Sequence, residues 1–134
     1  LRVTKIHTSA LRDLLRRGLE TAPTVRNIPE AVAELEDRLH DPDVALFIQE
    51  AGFLIAENNR SAFVNACVVI HFYAEAGDVL AGLLDECIQF AHDGGLRTFQ
   101  GFDINGLSLR AYRRLLKGRA RSVRALGVTY EVHV

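Results

Sequence analysis

The chain has 134 residues, 49% of them hydrophobic and 25% charged, with a net charge of −1. That composition describes one ordinary soluble domain over residues 1–134. No apolar run approaches the length needed to span a bilayer and no signal-peptide pattern opens the chain, so a cytoplasmic protein without a membrane span is expected. Cys67 and Cys87 lie in strongly apolar segments and read as buried free thiols in a reducing compartment, with a disulfide as the alternative. Neither has a second Cys or a His at zinc-ligand spacing, so no metal is assigned. There is no methionine and the chain opens on Leu1, so an initiator is expected to have been trimmed or to lie outside this sequence.

In chain order, "RVTKIH" (2–7) alternates and reads as a first strand. "SALRDLLRRGLE" (9–20) is an amphipathic helix with Ser9 as its expected N-cap. A second helix starts near Pro29, which suits a first turn, and ends before Pro42. "VALFIQE" (44–50) and "GFLIAEN" (52–58) are β-rich runs joined at Ala51-Gly52, which indicates a hairpin. "AFVNACVVIHFYAE" (62–75) is a long strand. Strict alternation puts Val64, Ala66, Val68, Ile70 and Phe72 on one face, and Asn65, Cys67, Val69, His71 and Tyr73 on the other.

"DVLAGLLDECIQFAHDGG" (78–95) has apolar residues at a helical period and a Gly-Gly exit. "LRTFQGFDI" (96–104) reads as a strand, "NGLSLRAYRRLL" (105–116) as a helix, and "RSVRALGVTYEVHV" as two strands around Leu126-Gly127. The order β-α-α-β-β-β-α-β-α-β-β predicts an α+β (α/β) fold with about four helices. A parallel β-α-β unit at 62–104 sits inside a mixed, mainly antiparallel sheet.

Charge divides unevenly along this order. Residues 1–95 hold 8 Lys/Arg and 15 Asp/Glu, while residues 96–134 hold 8 Lys/Arg and 2 Asp/Glu. A basic end of this kind serves an anionic ligand, nucleic acid or an acidic partner, or simply balances the charge of the rest of the domain. The helix at 105–116 adds a second anomaly. Asn105, Ser108 and Tyr112 fall close together on its apolar side, at offsets i, i+3 and i+7. Buried polar groups need partners, so they form either an internal network or the wall of a binding site.

The element order, together with "LLDECIQFAHDGGLRTF" and "NGLSLRAYRRL", resembles the GCN5-related N-acetyltransferase (GNAT) family over nearly the full chain. The first third resembles the small acetyltransferase-like proteins often encoded by bacteriophages. The resemblance implies a GNAT-like fold, acetyl-CoA as cofactor, and transfer of an acetyl or similar acyl group to an amine on a small molecule or protein. It implies that the strands at 62–75 and 96–104 part near His71 to admit acetyl-CoA. Asn105 and Ser108 would then face the pantetheine arm, and Tyr112 would protonate the departing thiolate. Backbone N–H groups near Phe72 and Tyr73 would meet the developing oxyanion. Open alternatives accompany these roles: Asn105 as an N-cap and Tyr112 as a core aromatic. His71, Glu75 and Asp103 are the candidates for the base, with a structural histidine and a helix-capping Asp103 as the other readings.

The family's phosphate-binding turn aligns with "EAGDVL", which places Gly77, Asp78 and Val79 against the pyrophosphate. Here Glu75 stands for the usual Arg or Gln, and Asp78 and Leu80 for two small residues. Asp78 is expected at the N-cap, where it would occupy helix N–H groups and repel phosphate, while Leu80 would obstruct close approach. Two readings besides acyl transfer follow: a catalytically inactive GNAT-like binding or assembly module, and a nucleobase-modifying relative that brings nucleic acid to its basic end. The oligomeric state is open, a dimer included.

Overall fold

The computed structural model describes residues 1–101, 109–126 and 132–134. The chain forms two compact units, Leu1–Ile104 and Asn105–Val134. The first holds a five-stranded sheet in sequence order, made of β1 (Arg2–Val3), β2 (Val44–Gln49), β3 (Gly52–Arg60), β4 (Asn65–Ala74) and β5 (Phe99–Gly101). β1 to β4 pair antiparallel, and β4 pairs β5 parallel from Cys67↔Phe99 to Val69↔Gly101. This is the mixed, mainly antiparallel sheet with one parallel crossover that the sequence predicts.

Two helices cover one face. α1 (Ser9–Leu19) is capped by Thr8, whose hydroxyl accepts from the Leu11 N–H at 3.2 Å, so the cap lies one residue before the expected Ser9. α2 (Ile28–Arg38) is capped by Asn27, with Pro29 in its first turn. Their leucines join Val44, Leu46, Phe53 and Ile55 in one core cluster. Each such fully buried side chain stabilises the fold by roughly 1.5–3 kcal/mol. α3 (Gly77–Asp93) covers the other face, where Phe90 meets the Phe47 ring edge-on at 5.8 Å. β3 runs past its expected end at Asn58 to Arg60, and Asn58 and Arg60 donate to the Phe90 and Gly94 carbonyls at the close of α3.

β4 departs from strict alternation. Ile55 pairs with His71 but Ala56 pairs with Val69, so Ile70 is an extra residue, a β-bulge. One inserted residue exchanges the faces of everything beyond it. Cys67 and Val69 share the α3 face with Phe72, whereas His71 and Tyr73 turn to the α1 face. The alternation expected from sequence, which grouped His71 and Tyr73 with Cys67 and Val69, is corrected accordingly. Cys67 and Cys87 are free, fully buried thiols, Sγ to Sγ 3.8 Å. Their shared hydrogen bond and their burial push the Cys87 thiol up.

In the second unit α4 (Leu109–Leu115) ends at Gly118, whose φ of 80° suits the left-handed turn that closes a helix. Of the two strands expected around Leu126-Gly127, residues 127–131 lie outside the described residues, and residues 121–126 and 132–134 are not in a strand. No described helix is long and apolar enough to cross a membrane.

Candidate functional site

The C-terminal end of β4 gathers most of the candidates from the first unit. His71 is 7% exposed, its ring tilted against that of Phe53 at 5.7 Å, with Nε2 3.4 Å from the Gly18 carbonyl of α1. Burial pushes its pKa below the ordinary histidine range, only partly offset by the Gly18 carbonyl. A neutral ring donating from Nε2 follows at neutral pH. Two residues on, the Tyr73 hydroxyl donates to Glu75 Oε1 at 2.9 Å, and Arg17 Nε lies 3.7 Å from the same oxygen. That hydrogen bond, with burial and the Glu75 charge, raises the Tyr73 pKa against the opposing pull of Arg17.

Glu75 and Arg17 are the exposed members of the group, and the β2–β3 turn holds the Glu75 backbone. Its N–H donates to the Ala51 carbonyl at 3.0 Å, and Ala51 has a φ of 70°. Behind this turn a side chain at Gly52 would meet the Tyr73 carbonyl at 2.9 Å and Val79 Cγ1 at 2.5 Å, so glycine allows the turn to sit tightly between β4 and α3. Glu50, Glu75 and Asp78 are all exposed along this stretch, which makes this end of the sheet acidic.

The turn into α3 corrects two expectations. The N-cap is Ala76, with no side-chain capping bond, and Asp78 stands inside the first turn. Asp78 does not occupy the helix N–H groups as a cap would; its charge is the only obstacle it presents to an anion. Leu80 is 6% exposed and belongs to the core, so it does not cover the turn. Gly77 has open space where a Cβ would stand. Gly77, Asp78 and Val79 thus offer first-turn N–H groups toward an open approach. Phe72, the remaining candidate here, is buried on the α3 face.

Sequence reasoning did not identify Arg17 and Gly18 as members of this group. They carry no motif and reach β4 only through the packing of α1. Asp103, Asn105 and Ser108 lie outside the described residues, as does the stretch beyond Gly101 where the two parallel strands were expected to part. Tyr112 is half-buried on α4, in the second unit. Among the described residues no group of three His, Cys, Asp or Glu could hold a metal ion.

No protein-family model and no curated protein matches the sequence. Solved structures do match in shape. A probable acetyltransferase superposes with a TM-score of 0.67 at 16% identity, covering 100% of this chain and 96% of its own. Wild-type TTHA1254 from Thermus thermophilus gives 0.59 at 16% identity, covering 90% and 92%. The aminoglycoside antibiotic 6'-N-acetyltransferase of Acinetobacter haemolyticus, in its apo form, gives 0.62 at 10% identity, covering 100% and 97%. With its sheet order, its parallel β4–β5 pair and these neighbours together, the chain has the GCN5-related N-acetyltransferase fold.

Proposed function

We propose that the protein is an acyltransferase that moves an acetyl or similar acyl group from acyl-CoA to a cationic amine. One observation carries this reading. The bulged end of β4 runs directly into a helix N-terminus that no side chain caps, with Gly77 open to solvent. Such a terminus suits a phosphate, because its N–H groups and dipole favour an anion. Acyl-CoA would supply an activated thioester carbonyl. Gly77, Asp78 and Val79 would hold its phosphates through the backbone, against the repulsion of the Asp78 carboxylate.

The remaining roles fall to the residues around Glu75. Amine acyl transfer needs an approach for an ammonium, loss of its proton, a donor for the developing oxyanion and an acid for sulfur. Glu75 is both exposed and anionic, so it would draw the ammonium in and take its proton directly or through one water. Backbone N–H groups near Phe72 and Tyr73 would meet the oxyanion. His71, buried and bonded to Gly18, would support α1 rather than reach an acceptor. The sequence motif supports Tyr112 as the acid, with Asn105 and Ser108 along the pantetheine arm and Asp103 as the alternative base. The acidic end of the sheet favours an acceptor with positive charge, such as a polyamine or an aminoglycoside, over an anionic one.

The carboxylates at Glu75 and Asp78 favour a second reading, a GNAT-fold binding module without catalysis. Calorimetric titration with acetyl-CoA, alongside thiol release with a panel of amines, separates the two. Acyl transfer predicts CoA binding weaker than about 1 μM and thiol release with at least one cationic amine. Neither heat nor thiol release from any pair would leave the binding module.

A further inference from the structure

We propose that residues 109–126 form a docking strip for the phosphate backbone of nucleic acid. The proposal stands independently of acyl transfer. Arg110, Arg113, Arg114, Lys117, Arg121 and Arg124 are all exposed, and no Asp or Glu occurs between Leu109 and Leu126. Most arginines of residues 1–75 have carboxylates beside them. Arg12, Arg16, Arg17, Arg38 and Arg60 each meet a carboxylate, from Glu36, Glu20, Glu75, Glu57 and Asp43 respectively. Five of the seven arginines in residues 1–75 are neutralised locally in this way, and no acid lies within the strip's own sequence.

Local geometry gathers these cations instead of stringing them out. Gly118 closes α4, with the N–H groups of Arg119 and Ala120 both bonded to the Leu116 carbonyl at 2.9 Å. The chain then folds back, and Arg113 Nε donates to the Val123 carbonyl at 3.3 Å. Arg121 and Arg124 are thereby brought beside a helix only about 10 Å long. A nucleic-acid backbone presents matching charge density, and the arginine fork meets phosphate oxygens in pairs. Protein surfaces seldom offer so many acids unmixed with bases. A membrane surface fits less well, since an interfacial helix needs an exposed apolar face. Here Leu109, Ala111, Tyr112 and Leu115 are half-buried and Leu116 is buried. Tyr112 is the only aromatic of the strip, so bases have no exposed ring on which to stack. Recognition therefore runs through phosphates and is independent of base sequence.

The test uses the full chain and fluorescence anisotropy with a labelled 20-nucleotide RNA and a 20-base-pair DNA duplex, each in two unrelated sequences. Binding at 50 mM KCl is expected, equal between sequences to within about threefold. With about five phosphate contacts, the plot of log affinity against log salt should slope at roughly −4.5 for the duplex and −3.5 for the single strand. The triple variant Arg110→Glu, Arg114→Glu, Lys117→Glu should weaken binding by about 100-fold or more. The double variant Lys5→Glu, Arg26→Glu, outside the strip, should change it by no more than about threefold. The salt slope of the unaltered protein tests the proposal alone if the triple variant loses its cooperative melting. No binding at 50 mM KCl, a slope shallower than about −1, or equal losses from both variants would overturn it. So would polyglutamate or anionic vesicles binding as tightly as the oligonucleotides.

Discussion

Replacing Gly18 by Ala sets two effects of known sign against each other. In an isolated helix the change is favourable by about 1 kcal/mol, because glycine gives up more backbone freedom. In the folded chain the new methyl would stand 2.2 Å from Phe53 Cε1, 2.6 Å from Phe53 Cζ and 2.7 Å from Tyr73 Cβ. Carbon atoms prefer about 3.5–4.0 Å, so the new methyl sits well inside contact distance of two residues. Phe53 is 0% exposed and cannot swing away, because His71 and Tyr73 flank its ring at 5.7 and 6.0 Å. Overpacking of this kind costs up to about 3 kcal/mol, which leaves a net loss of roughly 1–2 kcal/mol after the helix gain. In urea this should lower the unfolding midpoint by about 0.5–1 M without altering the slope. Displacing α1 also draws the Gly18 carbonyl from His71 and Arg17 from Glu75, so acyl transfer should fall with stability. An unchanged or raised midpoint would refute the close seating of α1 on β4.

Four further outcomes test the site itself. Asp78→Asn removes the charge beside the first turn of α3 and should tighten CoA binding about two- to fivefold, measured by calorimetry, the equivalent of roughly 0.3–1 kcal/mol; unchanged affinity would place the phosphates elsewhere. Glu75→Gln should lower acyl-transfer turnover about 100-fold while the folded state survives, and full turnover would remove it as the base. Tyr112→Phe should likewise cost about 100-fold in turnover for no more than about 1 kcal/mol of stability, whereas a large stability loss at full rate would assign Tyr112 to packing. Since the folded-state pKa of His71 lies below its ordinary value of 6.5, the unfolded chain binds the proton more readily. Its contribution is present above 6.5 and is lost as pH falls, so His71→Gln should flatten the acid limb of a stability profile below pH 6.5; an unaltered limb would contradict the burial of a neutral ring.

Which parts of this were legible beforehand follows from the range of each interaction. The hairpin at Ala51-Gly52 and the α3 stripe ending at Gly94-Gly95 are local, and both stand where the residues put them. The bulge at Ile70 is not local. Val68, Val69 and Ile70 are all apolar, so the run gives no sign of where one residue drops out of register, and pairing with β3 decides it. That single residue sends His71 toward Gly18 and Phe72 toward α3, the reverse of what alternation assigns. The cap of α3 shows the same limit at shorter range, because Asp78 has the right chemistry for an N-cap but the helix begins before it. Arg17 was invisible for a plainer reason: it lies far from Glu75 in sequence, and only the docking of α1 brings the two within 3.7 Å. Periodicity tells which face of its own element a residue occupies. The fold decides which element that face meets, and at the end of β4 that meeting makes an ordinary surface arginine the partner of the exposed carboxylate and a helical glycine the partner of His71.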